Sequence, residues 1–235
     1  GIVSALNRGI EPARGTLIAR MDADDVCVKR RFAAQREFLH SHPDIDAVSC
    51  LVTPLSDDGI TEGARRYFAW CNAARTPEHI EAALYDESPL PHPTMMIRRE
   101  ALERVGGYRD YDGPEDYDLW LRMSEAGCRF GKVPGELLQW RVHEGSLSRT
   151  DGRYREEAFV KRRREHLRWG LARQNIHASR PLVICGAGKY GKSLCAFLRE
   201  TETAVTGFID VDERKIGTRV QDLPVWGIEE MERRG

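Results

Sequence analysis

Three carboxylates fall within four positions in Asp22-Ala23-Asp24-Asp25, directly after Arg20-Met21 and the apolar run Leu17-Ile18-Ala19. Like charges held that close repel one another and lose hydration, and a divalent cation or a cationic ligand is the usual compensation. Asp22 and Asp24 could present oxygen ligands to Mg²⁺ or Mn²⁺, hard cations that also bind phosphates. The competing reading is an acidic turn capping a helix that starts near Val28, because Asp is a good N-cap. A second acidic pair, Glu115-Asp116, opens a helix after Gly113-Pro114, with Tyr108 and Tyr111 before it and Trp120 and Arg122 after it. Carboxylates in a first helical turn suit the macrodipole. The pair therefore reads either as a cap or, walled by aromatics, as a general base. Trp140-Arg141-Val142 leads into His143, with Ser146 and Ser148 following. A neutral imidazole at that strand end could ligate a metal; a structural histidine is the alternative.

The elements around these residues alternate between strand and helix, which argues for an α/β fold. Residues 16–19 and 47–53 read as strands, and a helix between them places Val28, Phe32 and Leu39 on one face until Pro43 ends it. Signals weaken over residues 54–76. Pro77 opens a short helix through Tyr85, residues 94–97 are strand-like, and residues 99–105 are helical with Gly106-Gly107 as the stop. The helix over 115–126 meets Gly127 in the C-terminal position, and residues 137–142 form another strand candidate.

Composition narrows the class. At 235 residues the chain allows one large or two small domains. It is 41% hydrophobic and 31% charged with a formal net charge of -1, so no global field argues for nucleic acid or membrane. No stretch of about 18 apolar residues suggests a membrane span, and the first residues carry no signal-peptide pattern. Cys27, Cys50, Cys71, Cys128, Cys185 and Cys195 are scattered without CxxC pairs, which predicts reduced thiols in a cytosolic protein and argues against a zinc site. Residues 153–173 hold eight Arg or Lys against three Glu. This is either a solvated basic helix or a segment attracted to an anionic membrane or lipid phosphate. Residues 174–181 look like a linker.

The ordered set of motifs resembles the family 2 glycosyltransferases of the GT-A fold. It runs Ala5-Leu6-Asn7-Arg8-Gly9-Ile10, Ala13-Arg14-Gly15, Ile18 to Asp25, His92-Pro93-Thr94, Gly106-Gly107-Tyr108, Glu115 to Arg122, and Arg141-Val142-His143. The resemblance covers residues 1–150 and implies a mixed sheet flanked by helices. By this resemblance Asp22 and Asp24 hold Mg²⁺ or Mn²⁺ and the diphosphate of a nucleotide sugar, with His143 as a further metal or diphosphate ligand. Asn7, Arg14 and Ala23 belong to the donor side. Asp116 is the implied catalytic base, with Glu115 beside it in an acceptor pocket; His92 is implied as acceptor-loop scaffolding, with no role as the alternative, and Trp120 as an acceptor contact or as support for the helix that Glu115-Asp116 opens. Family members begin with a strand and an early Asp that helps bind the base; no such run precedes Gly1, so the expectation is an N-terminally truncated chain.

Residues 151–180 then form the basic helix and linker, and 181–235 a third segment. There Pro181-Leu182-Val183-Ile184-Cys185 is followed by Gly186-Ala187-Gly188-Lys189-Tyr190-Gly191, a helix, and a strand ending in Asp210. A Gly-rich strand-to-helix turn with an acid about 20 residues on is the dinucleotide-binding pattern, and Gly186, Gly188, Gly191 and Asp210 are its candidate ligands. A tight turn with no ligand is the alternative. The segment resembles the N-terminal Rossmann-like domain of sialic-acid-type sugar O-acyltransferases, shortened to a partial βαβ unit. The expected function is inverting, metal-dependent hexosyl transfer to a glycan or lipid-linked hydroxyl acceptor, with no nucleic-acid partner. Its expected setting is bacterial surface polysaccharide assembly, in the cytoplasm or peripheral to its membrane. The alternatives are an inactive nucleotide-sugar-binding module and, through the C-terminal glycines, an NAD-dependent oxidoreductase.

Overall fold

The computed structural model describes residues 1–173 and 181–234; the expected linker therefore lies almost wholly outside the described residues. Two compact units divide the chain, Gly1–His166 and Leu167–Gly235. In the first, the order is α1 (Ile2–Ile10), β1 (Leu17–Ala19), β2 (Val26–Cys27), α2 (Arg31–Ser41), β3 (Ala47–Leu55), α3 (Glu62–Ala73) and α4 (Pro77–Ala83). There follow β4 (Met96–Arg98), α5 (Arg99–Arg104), α6 (Glu115–Glu125), β5 (Phe130–Arg141), α7 (Leu147–Thr150) and α8 (Glu156–Arg173), within which the division between units falls. Its five-stranded sheet has the order β1-β4-β3-β5-β2. Only β3 and β5 run parallel; the other neighbours are antiparallel. This is the mixed, helix-flanked sheet expected from the sequence.

Several elements differ from the sequence reading. The helix expected from Val28 begins at Arg31, and its buried positions are Arg31, Gln35 and Leu39, whereas Val28 and Phe32 are exposed. Polar side chains occupy the buried side, so an apolar stripe misplaced it. The weak stretch contains α3, whose N-cap Thr61 accepts from the Ala64 N–H at 3.2 Å; only Phe68 and Cys71 of this helix are buried. The strand expected at 137–142 starts at Phe130 and bulges against Cys50 and Leu51 of β3. β2 is two residues long and shows no periodicity; its register against Gln139 and Leu138 of β5 defines it.

The deepest element is α6. Tyr117, Leu119, Trp120, Leu121 and Met123 are fully buried among Ile80, Leu84, Leu90, Leu102 and Phe130. Asp118 lies in the same interior and receives three guanidinium groups: Arg109 (2.6 Å), Arg122 (2.8 Å) and Arg162 (2.8 Å). Burial pushes its carboxyl up, but the hydrogen bonds from Arg109 and Arg122 outweigh this and hold it below its usual value. Arg122 also donates to the carbonyls of Val105 and Gly107, and Arg162 reaches Glu125. The basic helix is thus not uniformly solvated, since Arg162 and His166 are buried and paired with Glu125.

Residues 88–97 form a second buried feature, irregular backbone around a 3₁₀ turn at His92–Thr94 that leads into β4. Pro89, Pro91 and Pro93 delete three N–H donors and leave a segment rich in acceptors. Side chains supply the missing donors: Tyr67 to the Ser88 carbonyl (3.2 Å), Lys132 to Pro89 (3.0 Å), Arg31 to Pro93 (2.8 Å) and Gln35 to Thr94 (2.7 Å). The Ser49 hydroxyl meets that of Thr94 at 2.6 Å. Burial lowers Lys132 to about 8, and its ammonium is held by carbonyls, those of Pro89 and Cys71.

The second unit takes the end of α8 from Leu167 and then contains β6 (Leu182–Cys185), α9 (Lys189–Glu200), β7 (Val205–Ile209), β8 (Arg219–Val220), β9 (Leu223–Trp226) and α10 (Glu229–Arg234). β6 and β7 are parallel about α9, giving the expected βαβ unit; β9 extends it in parallel and β8 turns back antiparallel. No helix among the described residues is long and apolar enough to cross a membrane.

Replacing Asp118 with Ala strands the buried guanidiniums of Arg122 and Arg162 against a void and frees the half-exposed Arg109, and breaking a buried charge cluster on one side costs about 3–5 kcal/mol. Urea unfolding of Asp118→Ala is expected to show a loss of that order; a loss within ~0.5 kcal/mol, typical of neutral surface changes, would exclude Asp118 as the fastener of α6.

Candidate active site

The acid turn is fixed at both ends before any ligand is considered. On one side the Arg20 N–H donates to the Met95 carbonyl (2.9 Å) and the Arg20 carbonyl accepts from Arg31 (2.7 Å). On the other, the end of β5 clamps the turn: the Arg141 N–H donates to Asp25 Oδ1 (2.8 Å), and Arg141 Nε donates to the Asp24 carbonyl (2.9 Å). The three carboxylates are compensated in three ways. Arg20 grips both oxygens of Asp22, at 2.7 and 2.6 Å. Asp24 Oδ2 faces His143 Nε2 at 3.3 Å, both about half exposed. Asp25 is buried, and burial, joined by repulsion from Asp22 and Asp24, pushes its carboxyl up to about 6.

His92, Glu115 and Asp116 make up the other part. The buried segment described above presents His92, whose Nε2 lies 2.6 Å from the Tyr108 hydroxyl and whose Nδ1 lies 3.6 Å from Glu115 Oε1. Burial, with the nearby charge of Arg20, keeps this imidazole neutral by holding it well below its usual value. Glu115 is 2% exposed and accepts a 2.7 Å hydrogen bond from the Tyr154 hydroxyl. Asp116 follows it at the start of α6 and accepts from the Tyr117 N–H at 2.8 Å. Burial first, then repulsion from Glu115, raises Asp116 to about 7, opposed by that N–H and by the Arg20 guanidinium. Arg20 therefore acts electrostatically on both carboxylate groups, as the common cation of the acid turn and the Glu115-Asp116 pair.

Other residues singled out from the sequence take structural positions. Asn7 clips the backbone of Tyr108, donating to its carbonyl (2.6 Å) and accepting from its N–H (3.1 Å). Arg14 and Ala23 are exposed. Trp120, read from the sequence either as an acceptor contact or as support for the helix, is fully buried and meets His92 and Phe130 edge-on at 5.8 and 6.3 Å, so it backs the histidine from within the core. Arg20, Asp25 and Tyr154 were not expected as site residues. Arg20 and Asp25 flank the motif, but nothing in the sequence links Tyr154 to a carboxylate 39 positions earlier.

The donor chemistry of Asp24 and His143, a carboxylate oxygen and an imidazole nitrogen 3.3 Å apart, suits a divalent cation. Asp22 is engaged by Arg20, and among the described residues no group of three potential ligands is already assembled.

In the second unit, Gly191 packs so closely that a Cβ there would lie 1.8 Å from the Gly186 carbonyl oxygen. Gly186 itself has φ +96° and Gly188 caps α9. Asp210, assigned to a ribose by the dinucleotide pattern, is spent within its own unit. It accepts from the N–H groups of Asp212 (2.9 Å) and Ala187 (2.8 Å) and from Lys215 (2.9 Å), and these hold its carboxyl well below the usual range. A ribose diol would have to compete with three donors.

Comparison with known proteins converges on one family. A model described as glycosyl transferase family group 2 matches residues 17–199. The amylovoran biosynthesis glycosyltransferase AmsE of Erwinia amylovora is 28% identical over 152 residues, covering 65% of this chain and 54% of that protein. The UDP-Gal:alpha-D-GlcNAc-diphosphoundecaprenol beta-1,3-galactosyltransferase of Escherichia coli is 26% identical over 154 residues, covering 65% and 53%. The chain spans about half the length of these curated relatives. Among solved structures, the mannosyltransferase PcManGT from Pyrobaculum calidifontis in complex with GDP-Man and Mn²⁺ aligns with TM-score 0.44 at 23% identity, over 74% of this chain and 44% of that one.

Gly191→Ala is expected to abolish amide-exchange protection across β6 and α9, because its methyl group meets backbone rather than a yielding side chain. Retained protection in both elements would show that the turn relaxes around it.

Proposed function

The chain belongs to glycosyl transferase family group 2, and we propose that it transfers a sugar from a nucleotide-diphosphate donor to a hydroxyl acceptor with inversion. The observation that supports this most is Asp116, a carboxylate raised to about 7 beside a buried glutamate and within the field of Arg20. A base whose pKa lies near the operating pH is half ionised there and strong enough to take a hydroxyl proton as the bond forms.

In this reading the acceptor hydroxyl loses its proton to Asp116 as its oxygen attacks the anomeric carbon. The bond from that carbon to the diphosphate oxygen breaks on the opposite face, and its electron pair leaves with the diphosphate. Glu115, held by Tyr154 and facing the neutral His92, shapes the acceptor side. Asp24 and His143 would hold a divalent cation, with Asp22 joining once freed from Arg20. Such a cation, Mg²⁺ or Mn²⁺, supplies charge neutralisation to the departing diphosphate. The names of the Erwinia and Escherichia relatives favour bacterial polysaccharide assembly and a lipid-linked glycan acceptor. The exposed cations of α8 would lie against the anionic membrane that carries such an acceptor. The Gly186 to Gly191 turn is proposed to take a nucleotide phosphate by its backbone N–H groups, without Asp210.

Asp116→Asn is expected to lower kcat by at least about 10²-fold, the contribution typical of a positioned base, while calorimetry still detects the nucleoside diphosphate. Unimpaired turnover would remove Asp116 from the base role. Because its raised pKa leaves the carboxyl protonated at low pH, kcat/KM should climb with pH up to about 7 and then level. A rate flat from pH 5 to pH 8 would contradict the assignment.

A further inference from the structure

The acid turn carries its own counter-ion. Arg20 closes two parallel contacts on Asp22, Nη1 to Oδ2 at 2.7 Å and Nη2 to Oδ1 at 2.6 Å, with its side chain 13% exposed. Asp24 turns instead to His143, and Asp25 turns inward to the Arg141 N–H. Asp22, 38% exposed at its side chain, is thus the one member of the trio neutralised by a strong internal cation. The backbone of Arg20 is secured without its side chain, through the Met95 carbonyl and the Arg31 guanidinium. The side chain can leave Asp22 without disturbing β1.

We propose that Arg20 is an exchangeable internal cation, which holds Asp22 while the turn is empty and is released to the donor diphosphate when a divalent cation claims that carboxylate. The inference rests on the metal and diphosphate reading of this turn given above. A guanidinium fork on both oxygens occupies the lone pairs that face it and neutralises the charge a cation would take, so the two compete for Asp22. A guanidinium fork matches phosphate oxygens as well as carboxylate oxygens. The released group therefore gains a partner of higher charge. Cation binding and diphosphate binding become coupled through one side chain, in opposite senses: Arg20 opposes the first and favours the second.

The test measures binding rather than turnover. Free Mn²⁺ is followed by electron paramagnetic resonance as it is titrated with the 235-residue chain and with Arg20→Gln and Arg20→Lys. UDP and GDP are then titrated calorimetrically at saturating Mn²⁺. Arg20→Gln is expected to bind Mn²⁺ about fivefold more tightly, the scale of a partly exposed ion pair. It should bind the better of the two nucleotides about tenfold more weakly, the scale of a lost charge-assisted contact. Arg20→Lys, which keeps the charge but not the fork, should fall between wild type and Arg20→Gln in both titrations, and decides the question if the Gln variant does not fold. Equal or weaker Mn²⁺ binding by the variants overturns the exchange and leaves the metal reading intact. No Mn²⁺ binding by any of the three chains overturns both.

Discussion

Buried irregular backbone is the constraint on which the first unit depends. Residues 88–97 cross its interior, and three prolines have removed donors from the stretch around His92. A carbonyl shut away from water and left unpaired costs about 1–3 kcal/mol. The unit meets this by placing Arg31, Gln35 and Lys132, among the most polar side chains available, in the interior and aiming them at Pro93, Thr94 and Pro89. α2 is oriented by this need more than by apolar burial, and β5 contributes a lysine where a strand interior would ordinarily carry a hydrophobe. The reward is a rigid mount for His92, with Trp120 behind it.

The same economy of charge recurs at α6. Asp118 fixes the helix by gathering three arginines, while Asp116, two residues earlier, lacks such partners and sits where burial works against its ionisation. Two acids of one helix therefore face opposite conditions: the over-compensated one ties elements together, and the under-compensated one is held toward its protonated form. At the acid turn the division is finer, with a guanidinium, an imidazole and burial each answering one carboxylate.

Much of this was legible in the sequence wherever local chemistry and structure agree. The acid turn, the Glu115-Asp116 start of α6, the Gly106-Gly107 stop and the Gly-rich turn before α9 all depend on residues within a few positions of one another. The buried side of α2 was not, because Arg31 and Gln35 look like solvent-facing residues until the carbonyls they serve are known. Tyr154 was invisible for the same reason, its partner lying 39 residues away. Trp120 and Asp210 show the converse. Each stands where a motif implies a ligand contact, yet tertiary structure uses the first for packing and the second to tie its own loop.

The proline-rich segment also sets an order of events in folding. Its donors are remote in sequence, separated by 62 residues for Arg31 and Pro93, 59 for Gln35 and Thr94, and 43 for Lys132 and Pro89. Each contact closes a long loop, and such closures are slow because their entropy must be lost before the contacts compensate it. The segment can settle only after α2, β3 and β5 have come together around it. His92, at the centre of the segment, then finds its place together with β4, whose Met96 and Ile97 join β1 to β3.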